Sequence, residues 1–151
     1  MNILRYFLNI WVKNMPVKFF DYSIKVNGVL DDTGKAFLRE AISELEAQTK
    51  KNTKVKTGRT KASIQTHVDD DKGEAYVGSD YQNFIWEEMG TGQFAVNGNG
   101  RKKPWKYKDE LTGEWYTTIG KRPRHMLLNA FKTKKKSIQS RAKSIFGGMG
   151  K

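Results

Sequence analysis

Phe20, Tyr22, Ile24 and Val26 alternate with mostly polar neighbours, the two-residue period of a half-buried strand, with a helix as the alternative, and Gly28 closes that run. The period then changes. Leu38, Ala41, Ile42 and Leu45 recur at i, i+3, i+4 and i+7 behind Asp31, Asp32 and Thr33, which predicts a capped helix running to about residue 50. Residues 50–61 are basic and polar, broken at Thr57-Gly58, with a short helical turn expected through Ala62 and Ile64. Two short strands, 64–68 and 74–78, are expected on either side of the acidic turn Asp69-Asp-Asp-Lys-Gly73. The aromatic stretch Tyr81-Gln-Asn-Phe-Ile-Trp86 ends at Glu87-Glu-Met-Gly-Thr-Gly92, where glycine and threonine would let the chain leave a strand sharply. Residues 93–104 read as loop around Asn97-Gly-Asn-Gly100. Trp105-Lys-Tyr107 and Trp115-Tyr-Thr-Thr-Ile119 flank Asp109-Glu-Leu-Thr-Gly113, the pattern of a β-hairpin. Lys121-Arg-Pro-Arg124 then leads into a final helix from about His125 to Phe146, with Leu127, Phe131, Ile138, Ala142 and Ile145 on one face and Gly147-Gly148 at its end.

The first residues fit none of these elements. Leu4, Phe7, Leu8, Trp11 and Met15 fall on one helical face, so residues 1–14 read as an amphipathic docking arm, as an extension ahead of a start at Met15, or as a membrane-surface helix. Arg5, Asn9 and Lys13 interrupt this run, which is shorter than the ~20 apolar residues a membrane span needs. Residues 15–151 are expected to form a single α+β domain: a small antiparallel sheet with a long β-hairpin, an N-terminal helix and a basic C-terminal helix.

Charge adds a partner class. The formal net charge is +12, and residues 132–151 carry seven basic side chains and no acidic one. That surplus attracts polyanions or acidic protein surfaces and says nothing of fold. Arg101, Lys102, Lys103, Lys134, Lys135 and Lys136 are the candidate contacts, and Trp105, Tyr107, Trp115 and Tyr116 offer rings that could stack bases or dock on protein.

Catalytic chemistry finds little to work with. The chain has no cysteine and two histidines, His67 and His125, far apart in sequence and read as surface or structural residues. No phosphate-loop spacing occurs, and Asp69-Asp-Asp71 lacks the alternating ligands of a calcium loop. Taken as extended chain, Glu87 and Glu88 point to opposite faces, a poor start for paired acid–base work; burial of one against an arginine or a partner is the structural alternative. No catalytic, cofactor or metal residue is assigned, and an enzyme is not expected.

Four short motifs in order carry a resemblance. They are Val55-Lys-Thr-Gly-Arg-Thr-Lys-Ala-Ser-Ile64, then Ala75-Tyr-Val-Gly78, then Tyr81 with Ile85-Trp-Glu-Glu-Met-Gly-Thr91, and Arg122-Pro-Arg-His-Met-Leu-Leu-Asn-Ala-Phe131. Over about residues 35–145 the chain resembles the gene-product-ten-like family of tailed bacteriophages, head-tail joining or tail-completion proteins of the neck. Thr60 stands where the family prefers leucine, and the first 26 residues lie outside the likeness. The resemblance implies that Thr57, Gly58, Gly90, Thr91, Arg122 and Pro123 build the fold, with Pro123 starting the last helix. It also implies a ring homo-oligomer, a hexamer, around the DNA channel at the head–tail junction of the virion, made in the bacterial host cytoplasm. There it would touch neighbouring neck and tail proteins and passing double-stranded DNA, and no membrane. The hairpin would project towards neighbours through Trp105, Tyr107, Trp115 and Tyr116. Alternatives are a tail-terminator ring protein and a non-specific nucleic-acid-binding protein.

Overall fold

The computed structural model describes residues 6–7, 23–25, 32–109 and 111–147, which fall into two compact units, one from the chain up to Asp80 together with Met126 onward, the other Tyr81–His125. The fold is α+β. In the first unit β1 (Tyr6–Phe7), β2 (Ser23–Lys25), β3 (Ile64–Asp69) and β4 (Glu74–Ser79) make an antiparallel sheet in the order β1-β2-β4-β3. Tyr6 pairs with Ile24 and Phe7 with Ser23, so at these two positions the helical docking arm is corrected to an edge strand. The rest of residues 1–14 lies outside the described residues, as do residues 19–22 and 26 of the expected first strand.

Helix α1 (Asp32–Asn52) follows the apolar stripe seen in the sequence: Phe37, Leu38, Ala41, Ile42 and Leu45 are all buried. Asp32 in its first turn and Lys50 and Lys51 in its last suit the helix dipole. One side of α1 packs on β3 and β4, where Ala75, Val77 and Ser79 alternate inward. Another packs on α4 (Met126–Phe146), which buries Met126, Leu127, Ala130, Phe131, Ile138 and Ala142. At ~1.5–3 kcal/mol per fully buried large side chain, this α1–α4–sheet core is the main stabilising feature of the unit. Phe146 meets Phe37 edge-on at 5.6 Å, and Asn52 Nδ2 donates to Met126 O at 2.9 Å, fixing both ends of α4 to α1.

A charged clasp joins the same two helices. Glu44 on α1 receives Lys134 Nζ at 3.0 Å and the Arg141 guanidinium. Partial burial pushes the Glu44 carboxyl up, but hydrogen bonds from Arg141 and Lys134 outweigh it and hold the pKa below the usual 4.5.

Between α1 and β3, Gly58 at φ +82° opens the single-turn α2 (Arg59–Ala62), and Ser63 Oγ meets Ser79 Oγ across the sheet end at 2.6 Å. Among the described residues no helix is long and apolar enough to cross a membrane.

The second unit holds α3 (Gln82–Met89), a 3-10 turn at Gly92–Phe94, and a two-stranded sheet of β5 (Trp105–Lys108) and β6 (Trp115–Thr118). Two expectations are corrected. Glu87 and Glu88 lie on a helix, where neighbours sit about 100° apart, and both are buried. Gly90-Thr91-Gly92 therefore leaves a helix, with Gly90 N bonded back to Trp86 O. Pro123 also does not start α4, which begins at Met126 after His125 at φ +51°.

Candidate functional site

The hairpin organises itself from its turn outward. Asp109 Oδ1 accepts from Leu111 N at 2.9 Å and Thr112 N at 3.2 Å, while Gly113 N donates to Asp109 O at 2.8 Å. An aspartate that satisfies the next amides forms such a turn from local sequence alone. Asp109 N donates to Glu114 O, and the register then runs Lys108↔Trp115, Tyr107↔Tyr116, Lys106↔Thr117 and Trp105↔Thr118.

Because side chains alternate, this register sorts the hairpin into two unlike faces. Trp105, Tyr107, Tyr116 and Thr118 share one; Lys106, Lys108, Trp115 and Thr117 share the other. On the first, the Tyr107 and Tyr116 rings sit 5.9 Å apart, and Arg101 lies 5.7 Å over Trp105. Tyr107 (43%), Trp115 (68%) and Tyr116 (40%) stay open to solvent. Trp105 does not: it is half-buried, its ring resting where a Gly92 side chain would be, so it leaves the docking set and joins the hairpin's own root.

That root is braced at several points. Thr91 N donates to Lys121 O, Gln93 N to Ile119 O, and Lys121 N returns a bond to Thr91 Oγ1 at 3.0 Å. A Cβ on Gly90 (φ +71°) would stand 2.8 Å from Lys121 O and 2.9 Å from Pro123 Cδ. Close approach of two backbones, as much as the dihedral, requires glycine here. Arg122 lies 4.6 Å over the Phe94 ring. Beneath the crossing, Lys121 Nζ pairs with Glu87 Oε1 and Arg124 Nε lies 3.0 Å from Oε2, an ion-pair contact without hydrogen-bond alignment. Arg124 N donates to Glu87 O at 2.7 Å. Arg122, Pro123, Gly90 and Thr91 are thus brought together, whereas Thr57 and Gly58 lie just ahead of α2 in the other unit.

The basic candidates separate. Arg101, Lys102 and Lys103 are exposed ahead of β5, with Lys102 O accepting from Gln93 Nε2. Lys135 and Lys136 are exposed on α4, but Lys134 is committed to Glu44. His67 is exposed, stacked on Tyr76 at 6.2 Å. Among the described residues no three His, Asp or Glu side chains come together as a metal site. The Glu87–Lys121–Arg124 clasp went unread in the sequence in its partners; Lys121 and Arg124 on either side of Pro123 were the available signal.

Comparison of the chain with protein-family models, with curated proteins and with solved structures finds no match.

Proposed function

We propose that this chain is a structural subunit of a tailed-bacteriophage neck, a ring-forming head-tail joining or tail-completion protein of the virion that docks on its neighbours through the β5–β6 hairpin. The observation that carries this reading is the hairpin itself. Tyr107, Trp115 and Tyr116 are exposed on a short sheet whose root is braced by the Thr91–Lys121 and Gln93–Ile119 backbone bonds. Rings of this kind concentrate in protein interfaces, where a rigid mount lowers the entropy lost on docking. The order of the four motifs supplies the phage context. The exposed lysines of α4 suit passing DNA or an acidic neighbour.

A free nucleic-acid-binding protein is the second reading, favoured by Lys135 and Lys136 on an exposed helix face. Particles made without the protein separate the two: tailless heads beside free tails are expected under electron microscopy. Complementation with a variant that joins Trp105 to Thr118 through Asn-Gly, replacing residues 106–117, should leave a folded protein that fails to rescue. Full rescue by that variant would overturn docking through the hairpin.

A further inference from the structure

Strand β3 is the outer strand of the four-stranded sheet, and among the described residues nothing pairs with its free edge. Such an edge presents a row of unpaired amides and carbonyls, a template for another strand. Gln65, Thr66 and His67 along it are exposed. The register places Gln65, His67 and Asp69 on the outer face with Gly78, Tyr76 and Glu74, away from α1. There they floor a cleft of about 470 Å³ that Ser63, Ser79 and Asp80 also line.

The charge beside this edge is opposite to that of the chain. In a protein of net charge +12, residues 69–80 carry Asp69, Asp70, Asp71, Glu74 and Asp80 against Lys72 alone. Lys72 and Arg39 answer Asp69 and Asp70, leaving Asp71 and Asp80 exposed.

The hairpin offers the complement. Residues 101–108 carry Arg101, Lys102, Lys103, Lys106 and Lys108 and no acidic side chain. Asp109 N donates to Glu114 O across the hairpin, so by the alternation of an antiparallel ladder the backbone groups of Lys106 and Lys108 point away from β6. Among the described residues the chain therefore owns an acidic open edge and a basic open edge.

We infer that β5 of one copy adds to the β3 edge of a second copy, with Lys106 and Lys108 brought to the acidic side chains around Asp71 and Asp80. The contact joins two different surfaces of the same chain, so it is head-to-tail and propagates until rotation closes it into a ring. It rests on the ring-forming reading above and names the joint that reading lacks. A four-residue strand addition is weak alone and gains strength on closure, because the last joint forms within one assembly. The polar half of the joint makes it sensitive to salt.

The test uses the full chain. Sedimentation at low salt should show concentration-dependent assembly. Lys106→Glu with Lys108→Glu should abolish it, as should Asp71→Lys with Asp80→Lys, each variant keeping the parent's circular dichroism. An equimolar mixture of the two should assemble again, since each mismatched edge now meets its complement in the other copy. Because the chain has no cysteine, Gln65→Cys mixed with Lys106→Cys should give a disulfide-linked dimer under mild oxidation. Hydrogen exchange on the unmodified chain supplies a check free of mutation: amides in residues 65–68 and 106–108 should gain protection on assembly. Assembly unaffected by either charge reversal, without that protection, overturns this joint and leaves a ring built on other contacts. A chain that stays monomeric at every concentration also overturns it, and the phage-neck reading is then judged separately by particle complementation.

Discussion

Replacing Gly92 by alanine should be one of the most damaging single-methyl additions in the hairpin unit, and Gly113→Ala is its natural control. Both glycines lie in the left-handed region, at φ +59° and +72°. An L-residue there costs about 1–2 kcal/mol from its own Cβ against the following carbonyl. Their surroundings differ. Nothing lies within 4 Å of a Cβ on Gly113, whereas on Gly92 it would stand 2.7 Å from Trp105 Cη2, 2.8 Å from Gly120 Cα and closer still to Ile119 O. Two of those three atoms are backbone, so no rotamer change relieves the crowding, and overpacking adds about 1–3 kcal/mol. Gly92→Ala is therefore expected to cost ~2–5 kcal/mol and Gly113→Ala ~1–2 kcal/mol.

Three of the four tryptophans, Trp86, Trp105 and Trp115, lie in Tyr81–His125, so a Trp11→Phe background makes fluorescence report this unit, while α1 and α4 dominate the far-ultraviolet circular dichroism. Urea unfolding followed by fluorescence should show a midpoint loss for Gly92→Ala well beyond that of Gly113→Ala. Near-ultraviolet signal from Trp105 should fall at zero denaturant in the first variant only. Equal midpoints for the two would refute the reasoning, because the crowding difference between the sites would then be worth nothing.

Three further expectations follow from the charged side chains. Glu87→Gln removes the charge between Lys121 and Arg124; both cations reach solvent, so the loss should be ~1–2 kcal/mol rather than the several of a fully buried pair, read from the same fluorescence melt. Glu44 is held below 4.5 in the folded chain, so its contribution is present above that pH and lost as pH falls through the lower folded value. A Glu44→Gln protein should be less stable than the parent near neutrality, and the gap in Tm should close on acidification; a gap constant with pH would contradict the clasp. If α4 meets DNA phosphates, replacing Lys135 and Lys136 by Gln should flatten the log–log salt slope of binding by up to about 1.8, without loss of Tm. Adding Lys134→Gln should lower Tm as well, since that lysine holds Glu44.

What the sequence determined by itself was whatever depends on near neighbours. The stripe Leu38–Ala41–Ile42–Leu45 specifies a helix because only a 3.6-residue period gathers those side chains, and α1 buries all of them. Strands β3 and β4 and the β5–β6 hairpin were legible for the same reason, their turns being written in Asp69–Gly73 and Asp109–Gly113. The α+β class follows from those elements. Tertiary structure decided the rest. The segment Gln82–Met89 has aromatic and glutamate residues that fit strand or helix alike, and only its folded surroundings, with Phe84, Glu87 and Glu88 buried, settle it as helix. Tyr6–Phe7 became a strand through pairing with residues 23–24, a partner that no local period reveals. The aromatic quartet divided because Trp105 found the space above Gly92, and the α4 lysines divided because Lys134 found Glu44, which is ninety residues earlier in the chain. Periodicity reports which side of an element is apolar; which atoms meet across elements depends on loop closure and packing, and a one-dimensional pattern does not contain that information.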